Sequence, residues 1–186
     1  MKKLAGIMIA GALALSMSGC SASNEEAMEN LNAAVARLET QLQEARDKEE
    51  IRNLVNQFSN LADEKDPAAQ MELFTPDAEI IITMNGESRT MDYAQAEEAF
   101  TRVLTNTDSL YHMNGQVSLE VNGDTAAGTV YCRVVLVDEN EEGVVMETDE
   151  GVIYHDDYVK QDGKWLISRR NSNFIYQDVK PLSGSR

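Results

Sequence analysis

Few side chains in this 186-residue chain carry reactive chemistry, and their spacing sorts them quickly. There are two histidines. His155 is flanked by Asp156 and Asp157, but neighbours along a strand point to opposite faces, so the three make a poor metal site. His112 sits in "SLYHMNGQVSLEVNGDTAAG", residues 109–128, where a strand is expected. Its imidazole is suited to moving protons near neutral pH if a carboxylate fixes its tautomer. Regular alternation back from Glu120, Ser118, Gln116 and Asn114 places His112 on a wet face, opposite Val117, Leu119 and Val121. A bulge at Asn114-Gly115 would add the one residue that turns it to the core face. Both readings stand on the sequence alone.

The remaining groups narrow the chemistry further. Cys132 lies in an apolar run, which fits packing better than catalysis. In "DENEEGVVMETD" the acidic spacing approaches a calcium loop, but the fifth ligand is Glu, the last is Asp, and no helices flank it. An acidic hairpin is the expectation, and no metal is assigned. No phosphate loop, nucleophile elbow or zinc-ligand cluster occurs. The net charge of −16 repels phosphate backbones and anionic lipid, which argues against a nucleic-acid partner.

These groups must be positioned by elements that the hydrophobic pattern outlines. Residues 1–19 hold Lys2 and Lys3, an uncharged apolar run and small residues, the pattern of a secretory leader. Ser18-Gly19-Cys20 resembles the bacterial lipoprotein cleavage box, with Met17 where Leu is usual. That resemblance implies a lipidated Cys20, a membrane anchor and a place in the bacterial cell envelope outside the cytoplasm. Residues 20–48 read as a helical stalk or linker, with Leu31, Val35, Leu38, Leu42 and Ala45 at coiled-coil spacing. The stripe suits a stalk or packing helix, with self-association into a homo-oligomer as the alternative.

A broader stripe follows at Ile51, Leu54, Val55, Phe58 and Leu61, as for a helix lying on a sheet. Asp66-Pro67 ends it and starts a short helix to about Phe74. Beyond this, strand signals alternate with turns at Asn85-Gly86, Asn122-Gly123 and Asp162-Gly163, and Asp92 caps one inserted helix. Helices first and an antiparallel meander afterwards predict an α+β fold with helices on one face of a curved sheet. One globular domain over residues 49–176 is expected, with 177–186 as a flexible tail.

The segments "EEIRNLVNQFSNLADEKDPAAQMELFTPDAEI", "YHMNGQVSLEVNGDTAAGTVY" and "GVIYHDDYVKQDGKWLISRR" together resemble the SnoaL-like branch of the nuclear-transport-factor-two-like superfamily. That branch includes scytalone dehydratase and bile-acid dehydratase. The resemblance implies a cone-shaped, strongly curved antiparallel sheet wrapped around N-terminal helices, with an apolar pocket for a small hydrophobic ligand. It further implies cofactor-free dehydration or isomerisation, in which an aspartate ending the first helix orients a pocket histidine. Asp63 and His112 fall on those catalytic positions; Phe58, Tyr131, Tyr154 and Arg169 are the further pocket candidates. Two departures favour the alternative of a non-catalytic ligand-binding or assembly lipoprotein. Phe58 stands where dehydratase members carry a tyrosine, and no carboxylate or histidine occurs at residues 133–135.

Overall fold

The computed structural model describes residues 18–182, with side chains from Asn24 onward. The leader residues 1–17 and the Cys20 side chain lie outside that range. The first helix, α1 (Ser18–Asp63), runs without a break because residues 21–63 contain neither glycine nor proline. The chain divides into two units between Gln43 and Glu44. In the first, Leu31, Val35, Leu38 and Leu42 are all exposed.

The second unit begins inside α1. Ile51, Leu54, Val55 and Phe58 are buried, as their spacing requires, and each contributes on the order of 1.5–3 kcal/mol through burial. The stalk was expected to extend to residue 48, but Asp47 is buried and belongs to this unit. It accepts from Trp165 Nε1 at 3.0 Å and from Lys160 Nζ at 2.6 Å.

Two further helices follow the local signals. Asp66 caps α2 (Pro67–Met71), its side chain accepting from the Ala69 N–H. The expected helix stopped near Phe74; α2 is shorter, because Phe74 already pairs with Ile167 in the sheet. Asp92 and Gln95 form a reciprocal capping box at the start of α3 (Tyr93–Asn106).

The strands are β1 (Phe74–Met84), β2 (Glu87–Met91), β3 (Ser109–Asn122), β4 (Thr125–Glu139), β5 (Val145–Gln161) and β6 (Lys164–Pro181). Asn85-Gly86 and Asp162-Gly163 turn β1–β2 and β5–β6, with both residues of each pair at positive φ. The sheet order β2-β1-β6-β5-β4-β3 leaves it open, with β2 and β3 as edges.

Two expectations need correction. Four of the pairings are antiparallel, but β1 runs parallel to β6, so the sheet is mixed. Residues 177–181 are not a tail: β6 continues past Tyr176, pairing Gln177 with Glu150 and Pro181 with Met146. The core lies between the helices and one sheet face, where Phe58 meets Phe74, Phe100 and Tyr154 edge-on at 5.9–6.2 Å. Within it Arg170, 1% exposed, pairs with Asp156 at 2.6 Å. Its guanidinium lies 4.0 Å from the Phe58 ring centroid and 4.5 Å from that of Tyr154.

Candidate functional site

The candidate site forms where the end of α1 meets the edge strand β3. Lys65 takes a left-handed conformation, φ 57°, which lets the Asp66 N–H close the helix onto the Leu61 carbonyl at 2.9 Å. The Lys65 ammonium also donates to the carbonyls of Thr107 and Asp108, just before β3. These contacts fix Asp63, the last residue of α1, against the first half of that strand.

On β3 the register jumps: Asn114 pairs with Cys132, but Val117 pairs with Val130. Two residues on β3, Gly115 and Gln116, therefore lie opposite one on β4, Tyr131, which makes a bulge at Gly115-Gln116. Burial changes phase across it, with Leu110, His112 and Asn114 half-buried before it and Val117, Leu119 and Val121 after it. His112 and the later apolar residues thus share the inner face, and simple alternation from Glu120 misplaces it. The break falls one residue beyond the expected Asn114-Gly115.

As an edge strand, β3 has backbone N–H groups without a neighbouring strand, and Asp63 takes one of them. The His112 N–H lies 3.1 Å from each Asp63 carboxylate oxygen. Its ring Nδ1 lies 2.6 Å from Oδ1. Because the carboxylate is acceptor-only when ionised, it holds the proton on Nδ1 and leaves Nε2 as the basic nitrogen. No hydrogen bond to Nε2 occurs among the described residues. One helical turn earlier, Asn114 Nδ2 donates to Ser59 Oγ at 3.0 Å and to Asn56 Oδ1 at 3.2 Å. The polar face of α1 and the inward polar residues of β3 therefore interlock.

His112 forms part of the wall of a cavity of about 360 Å3 that opens to solvent. Phe58, Phe100, Leu136 and Phe174 are among its apolar lining, and Gln70, Tyr154, Ser172 and Glu150 add polar groups. Burial pushes the Glu150 carboxyl above the usual glutamate range, and the Gln177 amide, donating at 2.6 Å, only partly offsets this. Burial likewise raises the Tyr154 hydroxyl well above an ordinary tyrosine. The Cys132 thiol, also buried, is pushed up to about 11, so it stays protonated and packs as an apolar group.

The structure brings Asp63, His112, Phe58 and Tyr154 together and leaves two expected pocket residues outside. Tyr131 is exposed because its neighbours Val130 and Cys132 point inward. Arg169 is exposed beside Glu79 at 2.9 Å and Asp157 at 3.9 Å. Alternation from Trp165 and Ile167 would turn Arg169 inward, but a second bulge intervenes. Asp157 pairs with Arg169 while Tyr158 pairs with Ile167, so Ser168 is extra and Arg170 enters the core.

Glu150 is the ionisable cavity residue that sequence reasoning missed. Its signal was present, since Glu150, Val152, Tyr154, Asp156 and Tyr158 alternate without interruption. A carboxyl group lies one strand over from residues 133–135: His112 pairs with Val134, and Val134 with Glu150.

The open sheet with helices on one face agrees with what comparison finds. The SnoaL-like domain family matches residues 43–171, and the chain belongs to that family, whose members have the nuclear-transport-factor-two-like fold. An uncharacterised protein of Mycobacterium tuberculosis is 30% identical over 138 residues, 73% of this chain and 90% of its own. Among solved structures, a putative scytalone dehydratase from Novosphingobium aromaticivorans superposes with a TM-score of 0.64 at 17% identity, covering 77% of this chain and 97% of its own. A hexachlorocyclohexane dehydrochlorinase from Novosphingobium barchaimii gives 0.62 at 19% identity, over 78% and 97%. At these identities the two structures share the fold.

Proposed function

We propose that this chain is a lipid-anchored envelope protein whose SnoaL-like domain binds a small hydrophobic carbonyl compound and dehydrates or isomerises it without a cofactor. The observation that carries the reading is the 2.6 Å contact between Asp63 Oδ1 and His112 Nδ1 at the wall of an apolar cavity. With Nδ1 committed, Nε2 is the base that removes a proton from the carbon beside the substrate carbonyl. In a dehydration, the electron pair of that C–H bond forms the new double bond as the C–O bond of a β-hydroxyl breaks. The hydroxyl leaves as water, taking its proton from a buried O–H donor. Glu150 and Tyr154 both line the cavity, and burial keeps each protonated beyond its usual range. In an isomerisation, the proton held on Nε2 returns to a different carbon of the same substrate.

The test uses benzylacetone, a small hydrophobic ketone, in heavy water. The protein should speed deuterium exchange beside the carbonyl above buffer background, His112→Gln should abolish the effect, and Asp63→Asn should weaken it. Equal exchange by wild type and His112→Gln overturns the catalytic role. Exchange at background in both supports the second reading, a non-catalytic binding lipoprotein, which the missing hydroxyl at Phe58 favours. For the anchor, an intact mass of the native protein beginning at Cys20 with acyl chains attached is expected. A mass without an acyl increment refutes it.

A further inference from the structure

The cavity wall carries two arginines, Arg89 and Arg102, that the fold positions and that hold no carboxylate among the described residues. Arg89 on β2 pairs directly with Ile82 on β1, and Ile82 with Ser172 on β6. Directly paired residues share a sheet face, so Arg89 lies on the cavity face together with Ile82 and Ser172, which also line it. Arg102 comes from α3, on the helix face that presents Ala99 and Val103 to the same cavity. Both arginines are exposed, which places them at the mouth.

Neither makes an ion pair or side-chain hydrogen bond among the described residues, although the chain has 32 acidic residues against 16 basic ones. Glu98 stands four residues before Arg102, the spacing and order that favour a helical ion pair, and the two do not pair. By contrast Arg133, Arg169 and Arg170 each hold a carboxylate within 3 Å.

We infer that Arg89 and Arg102 receive the carboxylate of an amphiphilic substrate whose apolar body fills the cavity. The inference deepens the reading of the cavity as a substrate site and rests on it. Guanidinium forks match a planar carboxylate, and two such forks line this one cavity. The rest of the protein disfavours an anion, since the net charge is −16 and Glu150 stands on another part of the wall. The anionic end is therefore held at the mouth, and the uncharged end is directed toward His112 and Glu150. A substrate class follows: small, monoanionic and mostly apolar, with its reactive carbon remote from the arginines.

Cinnamate and cinnamamide have the same shape and differ in charge, so they isolate the effect. Calorimetry on the full chain should show cinnamate binding about tenfold tighter at low salt, with the advantage shrinking as salt rises. In an R89Q/R102Q double variant the preference should vanish while cinnamamide affinity is unchanged. Its melting temperature should match wild type, because both side chains are exposed and unpaired. Equal affinity for the two probes in wild type overturns the anionic substrate class and leaves the cavity reading intact. A preference that survives in R89Q/R102Q overturns the role of these arginines. Failure of either probe to perturb the His112 ring resonances overturns the substrate cavity itself, and the inference with it.

Discussion

Replacing Asp63 removes the contacts that tie α1 to β3 at the candidate site. The carboxylate accepts from His112 Nδ1 at 2.6 Å and from the His112 N–H through both oxygens at 3.1 Å. The His112 side chain is 7% exposed, so water replaces those contacts poorly; that of Asp63, at 27%, is partly hydrated whether paired or not. A hydrogen bond to a charged group contributes about 1.5–3 kcal/mol, and the exposure of Asp63 argues for the lower end. One gain opposes this loss. Asp63 ends a helix, where its charge faces the negative pole, and removing it returns about 0.3–1 kcal/mol. Asp63→Ala should therefore lower stability by about 2 kcal/mol, and Asp63→Asn, which keeps one acceptor, by about 1 kcal/mol. Urea unfolding of Asp63→Asn, His112→Gln and the double variant should give a coupling energy of about 1 kcal/mol. Native-state hydrogen exchange supplies a local check, because on an edge strand Asp63 is what protects the His112 amide. Additive stabilities, or a His112 amide whose exchange ignores Asp63→Ala, would refute the reasoning.

Three further outcomes are expected. Arg170→Leu should destabilise by about 3–5 kcal/mol, because Asp156 would be left buried and unpaired, whereas Arg169→Leu should change stability by less than about 1 kcal/mol; chemical denaturation distinguishes them. A chain beginning at Glu44 should keep the stability of the second unit, while one beginning at Glu49 loses Asp47, strands the buried Trp165 N–H and unfolds about 2 kcal/mol more easily; equal melting of the two contradicts this. Glu150→Gln should stabilise the protein at neutral pH. Burial raises the Glu150 pKa on folding, so the folded state binds the extra proton, and stability is lost as pH rises from the ordinary glutamate range through the raised value. Below that range the two proteins should melt alike, and a difference that does not grow with pH would argue against a buried carboxyl.

The features that local chemistry dictates were legible in the sequence. Asn85-Gly86 and Asp162-Gly163 turn because their residues tolerate positive φ, Asp92 and Gln95 cap a helix within four residues, and the Ile51–Phe58 stripe repeats at helical spacing. The resemblance carried by residues 49–176 added the fold family and the Asp63 and His112 positions. Tertiary structure decided whatever depends on pairing between distant strands. Side-chain direction in a strand reverses with a single inserted residue, and such an insertion is fixed by the partner strand rather than by its own neighbours. The extra residue at Gly115-Gln116 brought His112 inward, and Ser168 exchanged Arg169 for Arg170. The parallel β1–β6 contact joins segments about 90 residues apart, so nothing local announces it. Glu150 and Gln177 meet for the same reason, on strands longer than their apolar runs suggest, since backbone pairing carries a strand on where hydrophobic alternation fades. Arg89 and Arg102 look like ordinary surface charges in the chain; only the fold shows that both line one cavity, with no ion pair to either among the described residues.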